Sequence, residues 1–411
     1  NIYDVMGIAG NGASYKILQE AGIDDADLII AVTGSDELHL LCCTIATQVG
    51  NCAAIARVRT PEYSQEAKYL RDKLGLALII NPELEAAIEM AHILHLPSSL
   101  EVTNFAHGQA QLIKYEIPEG SILDGTKLMD LGTRHHANIL IGAVERDDEV
   151  TIPSGDFVLR KGDKLSFVGE RKHTKEFFSH IGVNTHSVKN TLIIGGGKAA
   201  YYLAKQLISR GIKVKIIENS FERCEELSIL LPAAVIINGD GTEQALLKEE
   251  GIETCQSFVP LTGIDEENIM LTLYAKQVSN AKVITKLNRI TFTNVINSLD
   301  LGSVISPKYI TSEAIIAYVR AKKNSMNCNI ETLYHMYDSR VEAIEFFVSE
   351  NSNVTDIPLR DLKLKKHLLI CFINRNGKII IPTGNDSIQK NDTVMIITTH
   401  TGFTNLQDIM E

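Results

Sequence analysis

No apolar run in this 411-residue sequence approaches the ~20 residues that a membrane-spanning helix requires. Any role at a membrane must therefore come through a partner. Basic charge is not in surplus either: 40 Lys and Arg stand against 51 Asp and Glu, a net charge of −11. That argues against a nucleic-acid-binding surface, which needs a basic footprint. The seven Cys form no C-x-x-C pair, and the adjacent Cys42 and Cys43 cannot make a paired-cysteine zinc site. They read as reduced, buried, structural thiols of a cytosolic protein. No G-x-S-x-G elbow and no zinc-protease motif occurs. His92 and His95 sit three apart on a helical pattern but lack carboxylate or Cys partners for a metal site. His135 and His136 point in different directions on any regular element. Hydrophobic content of 45% with 22% charged residues is ordinary for a soluble globular protein, and the length supports roughly two to four domains.

What is present is a duplication at a fixed offset of 229 residues. Gly10-Asn11-Gly12 recurs as Gly239-Asp240-Gly241, Gly22-Ile23 as Gly251-Ile252, and Thr33-Gly34-Ser35-Asp36-Glu37 as Thr262-Gly263-Ile264-Asp265-Glu266. Far downstream, Pro153-Ser154-Gly155-Asp156 recurs as Pro382-Thr383-Gly384-Asn385, and Lys161-Gly162-Asp163 as Lys390-Asn391-Asp392. A spacing held over so long a stretch means that one long unit was copied whole.

In the second copy, short β-rich runs alternate with helical patterns. Strands are expected at Thr191–Ile194, Lys213–Ile217, Ala234–Ile237, Ser257–Leu261, Lys282–Lys286 and Ser303–Ile305, with a helix over Tyr201–Ser209 ending at Gly211. Such alternation predicts a parallel sheet with helices on both faces. After about residue 324 short strands and turns take over, at Arg340–Glu350, Leu368–Asn374, Lys378–Ile381 and Thr393–Thr399. The first copy changes in the same way after Pro97, with strands near Leu112–Ile117, Asn138–Glu145, Glu149–Ile152 and Lys164–Val168. The fold class is thus α/β: two tandem copies of a Rossmann-like lobe plus a small β-rich lobe, at residues 1–97, 98–186, 187–323 and 324–411. About fifty residues precede Gly239 in its copy and only nine precede Gly10. The first copy is therefore expected to begin at its third strand, without the first strand, Gly-rich turn, first helix and second strand, as in a truncated chain.

The chemistry concentrates in the second copy. Gly195-x-Gly197-x-x-Ala200 matches the dinucleotide fingerprint with Ala in third place. The first Gly permits the tight strand-to-helix turn. The second removes a side chain where pyrophosphate approaches the backbone, and the small third residue lets helix and strand pack closely. The free N–H groups and the dipole at the helix start then hold the anion. Glu218, at the end of the next strand, can accept hydrogen bonds from both ribose hydroxyls. Its charge disfavours a 2′-phosphate, so NAD(H) or ATP/ADP is favoured over NADP. Asp240, Thr262 and Asp265 follow further strand ends, where ligands collect in this fold; for Thr262 and Asp265, capping of the next helix is the competing reading. Arg57 and Lys286 end the fifth strand of each copy and could meet phosphates, with solvated surface the competing reading for Lys286. Arg223 lies just beyond Glu218, facing either the nucleotide or solvent. No acid, base or nucleophile of a dehydrogenase stands out, so binding without turnover is expected. An NAD-dependent oxidoreductase with duplicated Rossmann lobes is the alternative.

Together these features resemble the tandem RCK (regulator of potassium conductance) arrangement of TrkA-type proteins, the cytoplasmic regulatory subunits of Trk potassium uptake systems. The matching phrases are Gly10-Asn11-Gly12-Ala13-Ser14, Ala31-Val32-Thr33-Gly34-Ser35-Asp36-Glu37, Ala56-Arg57-Val58-Arg59-Thr60-Pro61-Glu62-Tyr63 and Ile80-Asn81-Pro82-Glu83-Leu84-Glu85-Ala86-Ala87. In the second copy they are Ile194-Gly195-Gly196-Gly197, Ile237-Asn238-Gly239-Asp240-Gly241-Thr242 and Pro382-Thr383-Gly384. The resemblance implies a nucleotide between lobes that shifts their orientation. It implies assembly as a dimer of tandem chains or a larger ring, and a Trk-type potassium-transporting membrane subunit as partner on the inner face of the cell membrane. A different RCK-controlled ion transporter is a second candidate partner. In copy one, Asn11, Thr33, Asp36 and Arg57 remain as site residues, without the pyrophosphate-holding turn.

Overall fold

The computed structural model describes residues 5–50, 52–96, 98–134, 138–183, 185–289, 296, 299–323, 329–337, 339–350 and 352–411. Pro97 and Asn324, where two of the expected boundaries fall, lie outside them, as do His135 and His136. In the first copy, β1 (Leu28–Ala31), β2 (Ala53–Arg57) and β3 (Leu78–Ile80) make a parallel sheet in the order β1-β2-β3. Then β4 (Glu101–Phe105), β5 (Ala110–Glu116), β6 (Leu140–Arg146), β7 (Glu149–Thr151) and β8 (Lys164–Glu170) form an antiparallel sheet in the order β4-β5-β8-β6-β7.

The second copy has the full parallel sheet. Its strands are β9 (Asn190–Ile194), β10 (Lys213–Glu218), β11 (Val235–Asn238), β12 (Ser257–Pro260), β13 (Lys282–Lys286) and β14 (Ser303–Ile305). Their order, β11-β10-β9-β12-β13-β14, reverses direction between β9 and β12, and ligands of such sheets bind at that switch point. The run is apolar because both faces are covered: Leu192, Ile193, Ile194, Ile216, Ile217, Phe258 and Val259 are all buried. The antiparallel sheet that follows, β15 (Asn329–Met336), β16 (Val341–Phe347), β17 (Leu368–Arg375), β18 (Lys378–Ile380) and β19 (Thr393–Thr398), repeats the first copy's order as β15-β16-β19-β17-β18.

Three sequence expectations need correction. β4 and β15 were not expected; each opens its sheet as an edge strand with one neighbour, and its apolar alternation is broken by polar residues such as Glu101, Thr103 and Thr332. The third strand expected at the start of copy one is not formed: residues 5–9 carry no strand, and among the described residues no counterpart of β10 stands beside them to pair with. The helix expected to begin at Tyr201 begins at Lys198, one residue after the second Gly of the turn.

The copies share their cores. Helix Pro82–His95 of copy one lies on helix Lys198–Ser209 of copy two, small side on small side: Ala86, Ala87, Met90 and Ala91 join Ala199, Ala200, Leu203 and Ala204 in one buried cluster. The same cluster takes in Phe167, Phe177, Phe178 and Tyr115 of the first small lobe, whose rings meet edge-on at 5.2–5.6 Å. The two antiparallel sheets meet through a second cluster, in which Leu112, Ala143 and Val168 of one copy pack with Ala343, Cys371, Phe372 and Ile397 of the other. Helix Pro307–Lys323 is tied to the second small lobe by charge. Arg320 forks onto the buried carboxylate of Glu342 at 2.9 and 3.0 Å, and His335 lies 3.4 Å from Glu342 and 3.7 Å from Glu313.

Replacing Phe167, fully buried among these rings, by Ala is expected to destabilise the protein by about 3–5 kcal/mol, measured by denaturant unfolding. A second expectation concerns pH. Hydrogen bonding to Glu313 and Glu342 outweighs burial and pushes the His335 pKa up to about 9. A raised folded-state pKa contributes stability that is complete below the unfolded value near 6.5 and is lost as pH rises through about 9. Stability should therefore fall between pH 6.5 and 9 in the wild type, and His335→Asn should flatten that slope. Parallel slopes in urea titrations of the two proteins would refute the assignment.

Candidate functional site

The Gly-rich turn leaves β9 at the switch point. Gly195 sits at φ +93°, and a Cβ there would lie 3.1 Å from the Leu261 carbonyl oxygen and 3.2 Å from the Thr262 nitrogen. Both the left-handed conformation and the close approach of β12 demand glycine. At Gly197 a Cβ would meet nothing within 4 Å, so the open space beside it belongs to the cleft. No side chain caps helix Lys198–Ser209, which leaves its first N–H groups and its dipole for an anion. Ala200, the third small residue of the motif, is fully buried against the first copy. The fingerprint's demand for a small residue here comes from interlobe packing as well.

Glu218 ends β10 beside this turn. One carboxylate oxygen accepts from Gly196 N–H at 2.6 Å and the other from Ser220 N–H at 2.7 Å. A carboxylate has about four lone-pair positions, so room remains for two ribose hydroxyls. Arg223 also faces the turn: its Nε donates to the Gly196 carbonyl at 2.7 Å while Nη1 pairs with Glu226 at 2.5 Å. The solvated-face reading of Arg223 is thereby corrected, because the first turn of helix Phe221–Leu230 points it back at Gly196.

The duplicated residues do the same work in both copies. Asp240 accepts from Thr242 N–H and hydroxyl at 2.8 and 2.7 Å, which holds its carboxyl below the usual range, and Asn11 accepts from Ala13 N–H at 3.0 Å. Asp265 accepts from the Asn288 and Arg289 N–H groups at 2.8 and 2.7 Å; Asp36 accepts from Arg59 and Thr60 N–H at 2.9 and 2.7 Å. Burial works to raise the Asp36 pKa, but its hydrogen bonds to Thr60 and Arg59 and the Lys198 charge prevail and lower it. Neither Asp caps its own helix. Each fastens the start of that helix to the loop after the next strand, and this replaces the capping reading of Asp265. Thr262 holds Ile264 N–H at 3.2 Å through its hydroxyl and gives its own N–H to Asn268 at 3.0 Å. Arg57 donates to the Thr33 carbonyl at 2.7 Å and to the Val32 carbonyl at 3.3 Å, and Lys286 donates at 3.3 Å to the Leu261 carbonyl, the counterpart of Val32. Lys286 is therefore not solvated surface; burial lowers its pKa.

Gly195, Gly197, Glu218 and Arg223 thus converge on one turn, with Thr262 against it. Asp265 and Lys286 stand on the adjoining strand ends, Asp240 beyond β10, and Asn11, Thr33, Asp36 and Arg57 form the corresponding set in copy one. The two sets are physically joined by residues that the sequence reading did not place there. Lys198 Nζ donates to Thr60 Oγ1 at 3.1 Å, the Tyr202 hydroxyl donates to the Arg59 carbonyl at 3.0 Å, and Asn81 Nδ2 donates to that hydroxyl at 2.9 Å. The usable signal was the position of Lys198 and Tyr202 on the first turns of the helix that follows the Gly-rich turn. His92 and His95 lie at the other end of that helix, near Arg210. Burial first, and then nearby cations (Arg210 and Arg171 for His92; Arg171, Lys175 and Arg210 for His95), push both down to about 4, and His92 is held by Asn104 at 3.2 Å. Among the described residues no group of His, Cys, Asp and Glu is arranged to hold a metal, and no helix is long and apolar enough to cross a membrane.

The TrkA-N domain matches residues 2–82 and 191–307, and the TrkA-C domain matches residues 112–182 and 343–410. The chain belongs to the TrkA family. It is 33% identical over 401 residues to Trk system potassium uptake protein TrkA homolog 1 of Methanosarcina mazei, covering 96% of this chain and 88% of that protein. It is 29% identical over 398 residues to Trk system potassium uptake protein TrkA of Haemophilus influenzae, covering 96% and 86%. Among solved structures, the GsuK channel bound to NAD superposes with a TM-score of 0.60 at 17% identity, over 95% of this chain and 68% of that one. The GsuK RCK domain gives the same score and identity over 95% and 82%. These two likenesses establish the fold: tandem RCK lobes.

Gly195→Ala should cost about 1–2 kcal/mol for a left-handed non-glycine residue, whereas Gly197→Ala, at ordinary φ and facing open space, should stay within about 0.5 kcal/mol. Denaturant unfolding of the two variants checks the contrast, and equal losses would contradict it.

Proposed function

We propose that the chain is a nucleotide-sensing, cytoplasmic regulatory subunit that controls a Trk-type potassium transporter from the inner face of the membrane. The observation that carries this reading is the double use of helix Lys198–Ser209. Its uncapped N-terminus faces the Gly195–Gly197 cleft, and its side chains Lys198 and Tyr202 are fastened to the first copy. A nucleotide whose pyrophosphate lies on Gly197 and whose ribose reaches Glu218 pulls on a helix that the other copy also holds. Any tilt of that helix becomes a change of angle between copies. A ligand can do this only by binding one arrangement more tightly than the other. A coupling of about 1–3 kcal/mol changes partner activity 5–150-fold.

Glu218 favours a ribose with free hydroxyls, so NAD(H), ATP and ADP are the ligands to test. The relatives' names support the potassium partner, and the GsuK channel bound to NAD supports NAD as a ligand of this fold. Copy one lacks a Gly-rich turn among its described residues, and its Arg57 is engaged by backbone carbonyls. The subunit works without turnover, as part of a dimer of tandem chains or a larger ring.

Calorimetric titration should show nucleotide binding to the chain, and Glu218→Ala should weaken it by on the order of 1.5–3 kcal/mol through loss of charged hydrogen bonds. Light scattering should show an oligomer, and nucleotide should alter its affinity for a potassium-transporting membrane subunit. Absence of NAD(H), ATP and ADP binding, or a monomer that oxidises a small substrate with NAD, would overturn the proposal.

A further inference from the structure

The two small lobes pack through the same face, yet the seam between them is closed at one end and open at the other. At the closed end Arg340 donates to the Glu145 carboxylate at 2.5 Å and to the Asp148 carbonyl. The residues 229 positions away are Gln111 for Arg340, Asn374 for Glu145 and Gly377 for Asp148. Two neutral amides and a glycine cannot rebuild that bridge. Gln111 turns instead to Asn104 at 3.1 Å, and the Asn374 Oδ1 is buried with no hydrogen-bond partner among the described residues. The open end is a cavity of about 450 Å³, walled by residues 108–109 and 170–172 of copy one and by 377–379 of copy two.

Its charge differs from the closed end in the same sense. Arg171, Lys172 and Lys378 line it with Glu170 as the one carboxylate; the counterparts of these four are His400, Thr401, Glu149 and Thr399. Among the described residues Arg171 and Lys378 have no acidic partner, and Lys172 reaches only Glu176, at 3.8 Å on the exposed face of its helix. Helix Arg171–His180 starts at this wall, and no side chain caps it. A fork-shaped guanidinium, two ammonium groups and free helix N–H donors suit a tetrahedral dianion better than a planar carboxylate.

We propose that this cleft is a second anion site, separate from the Gly195 turn, which takes a small phosphorylated metabolite between Arg171 and Lys378. Because its walls come from both copies, the ligand bridges the seam where Arg340 bridges the other end. Inorganic pyrophosphate is the probe, titrated into the full chain carrying Gly197→Asp, whose new carboxylate repels pyrophosphate from the nucleotide turn. Binding with a Kd below about 1 mM is expected. Adding Arg171→Ala with Lys378→Ala should weaken it at least about tenfold, since each charged contact is worth about that factor or more. Lys378→Glu, which installs the residue type of the closed end, should weaken it as well. These side chains are exposed, and circular dichroism verifies that the variants fold. No pyrophosphate binding, equal affinity in the double variant, or malonate binding as tightly as pyrophosphate would each overturn the proposal.

Discussion

The helix that begins at Lys198 is the constraint on which the rest depends. Its backbone start is bare: Gly197 precedes it and no side chain caps it. Its flank must carry the first copy, so Ala199, Ala200, Leu203 and Ala204 are buried against the small residues of helix Pro82–His95. Alanine serves both needs: it brings the helices close and it is the best helix former. Lys198 and Tyr202 then fix the angle by hydrogen bonds to Thr60 and Arg59. The Gly-rich turn and the interlobe contact are thus two sides of one helix.

Duplication followed by divergence explains the remaining architecture. Interactions inside a lobe are conserved between the copies: Arg146 forks onto Asp163 as Arg375 forks onto Asp392, each at 2.7–2.9 Å, and Asp36 and Asp265 fasten equivalent loops. Interactions between lobes are not duplicated. Among the described residues, Arg340 with Glu145 and Arg320 with Glu342 have no equivalent in the other copy. Two copies that pack on one another occupy different surroundings, so a bridge between them need not be matched at its counterpart positions.

Much of the fold and part of the site were legible beforehand. The parallel sheet was readable because strands buried on both faces are runs of Val and Ile bounded by turns, as in Thr191–Ile194 and Lys213–Ile217. The turn at Gly195 and Gly197, with Glu218 beside it, was readable because a tight strand–turn–helix imposes residue types at fixed places. β4 and β15 were missed because edge strands with a half-polar face give a weak alternation. Arg223 and Lys286 stayed open between two readings because a long cation near a strand end looks alike in sequence whether it meets solvent or folds back on a carbonyl. The role of Asp265 stayed open for a related reason: its partners, Asn288 and Arg289, are 23 and 24 residues away.

By itself the sequence determined the repeat, the lobe types, the family and the glycine turn, all of which follow from local periodicity, spacing and backbone sterics. Only the tertiary structure decided how the copies meet: that Ala200 packs against another lobe, that Tyr202 holds Arg59 across 143 positions, and that the seam between the small lobes is bridged at one end and open at the other. Those outcomes depend on which surfaces of distant segments come to face each other, and no pattern within a single segment encodes its partner.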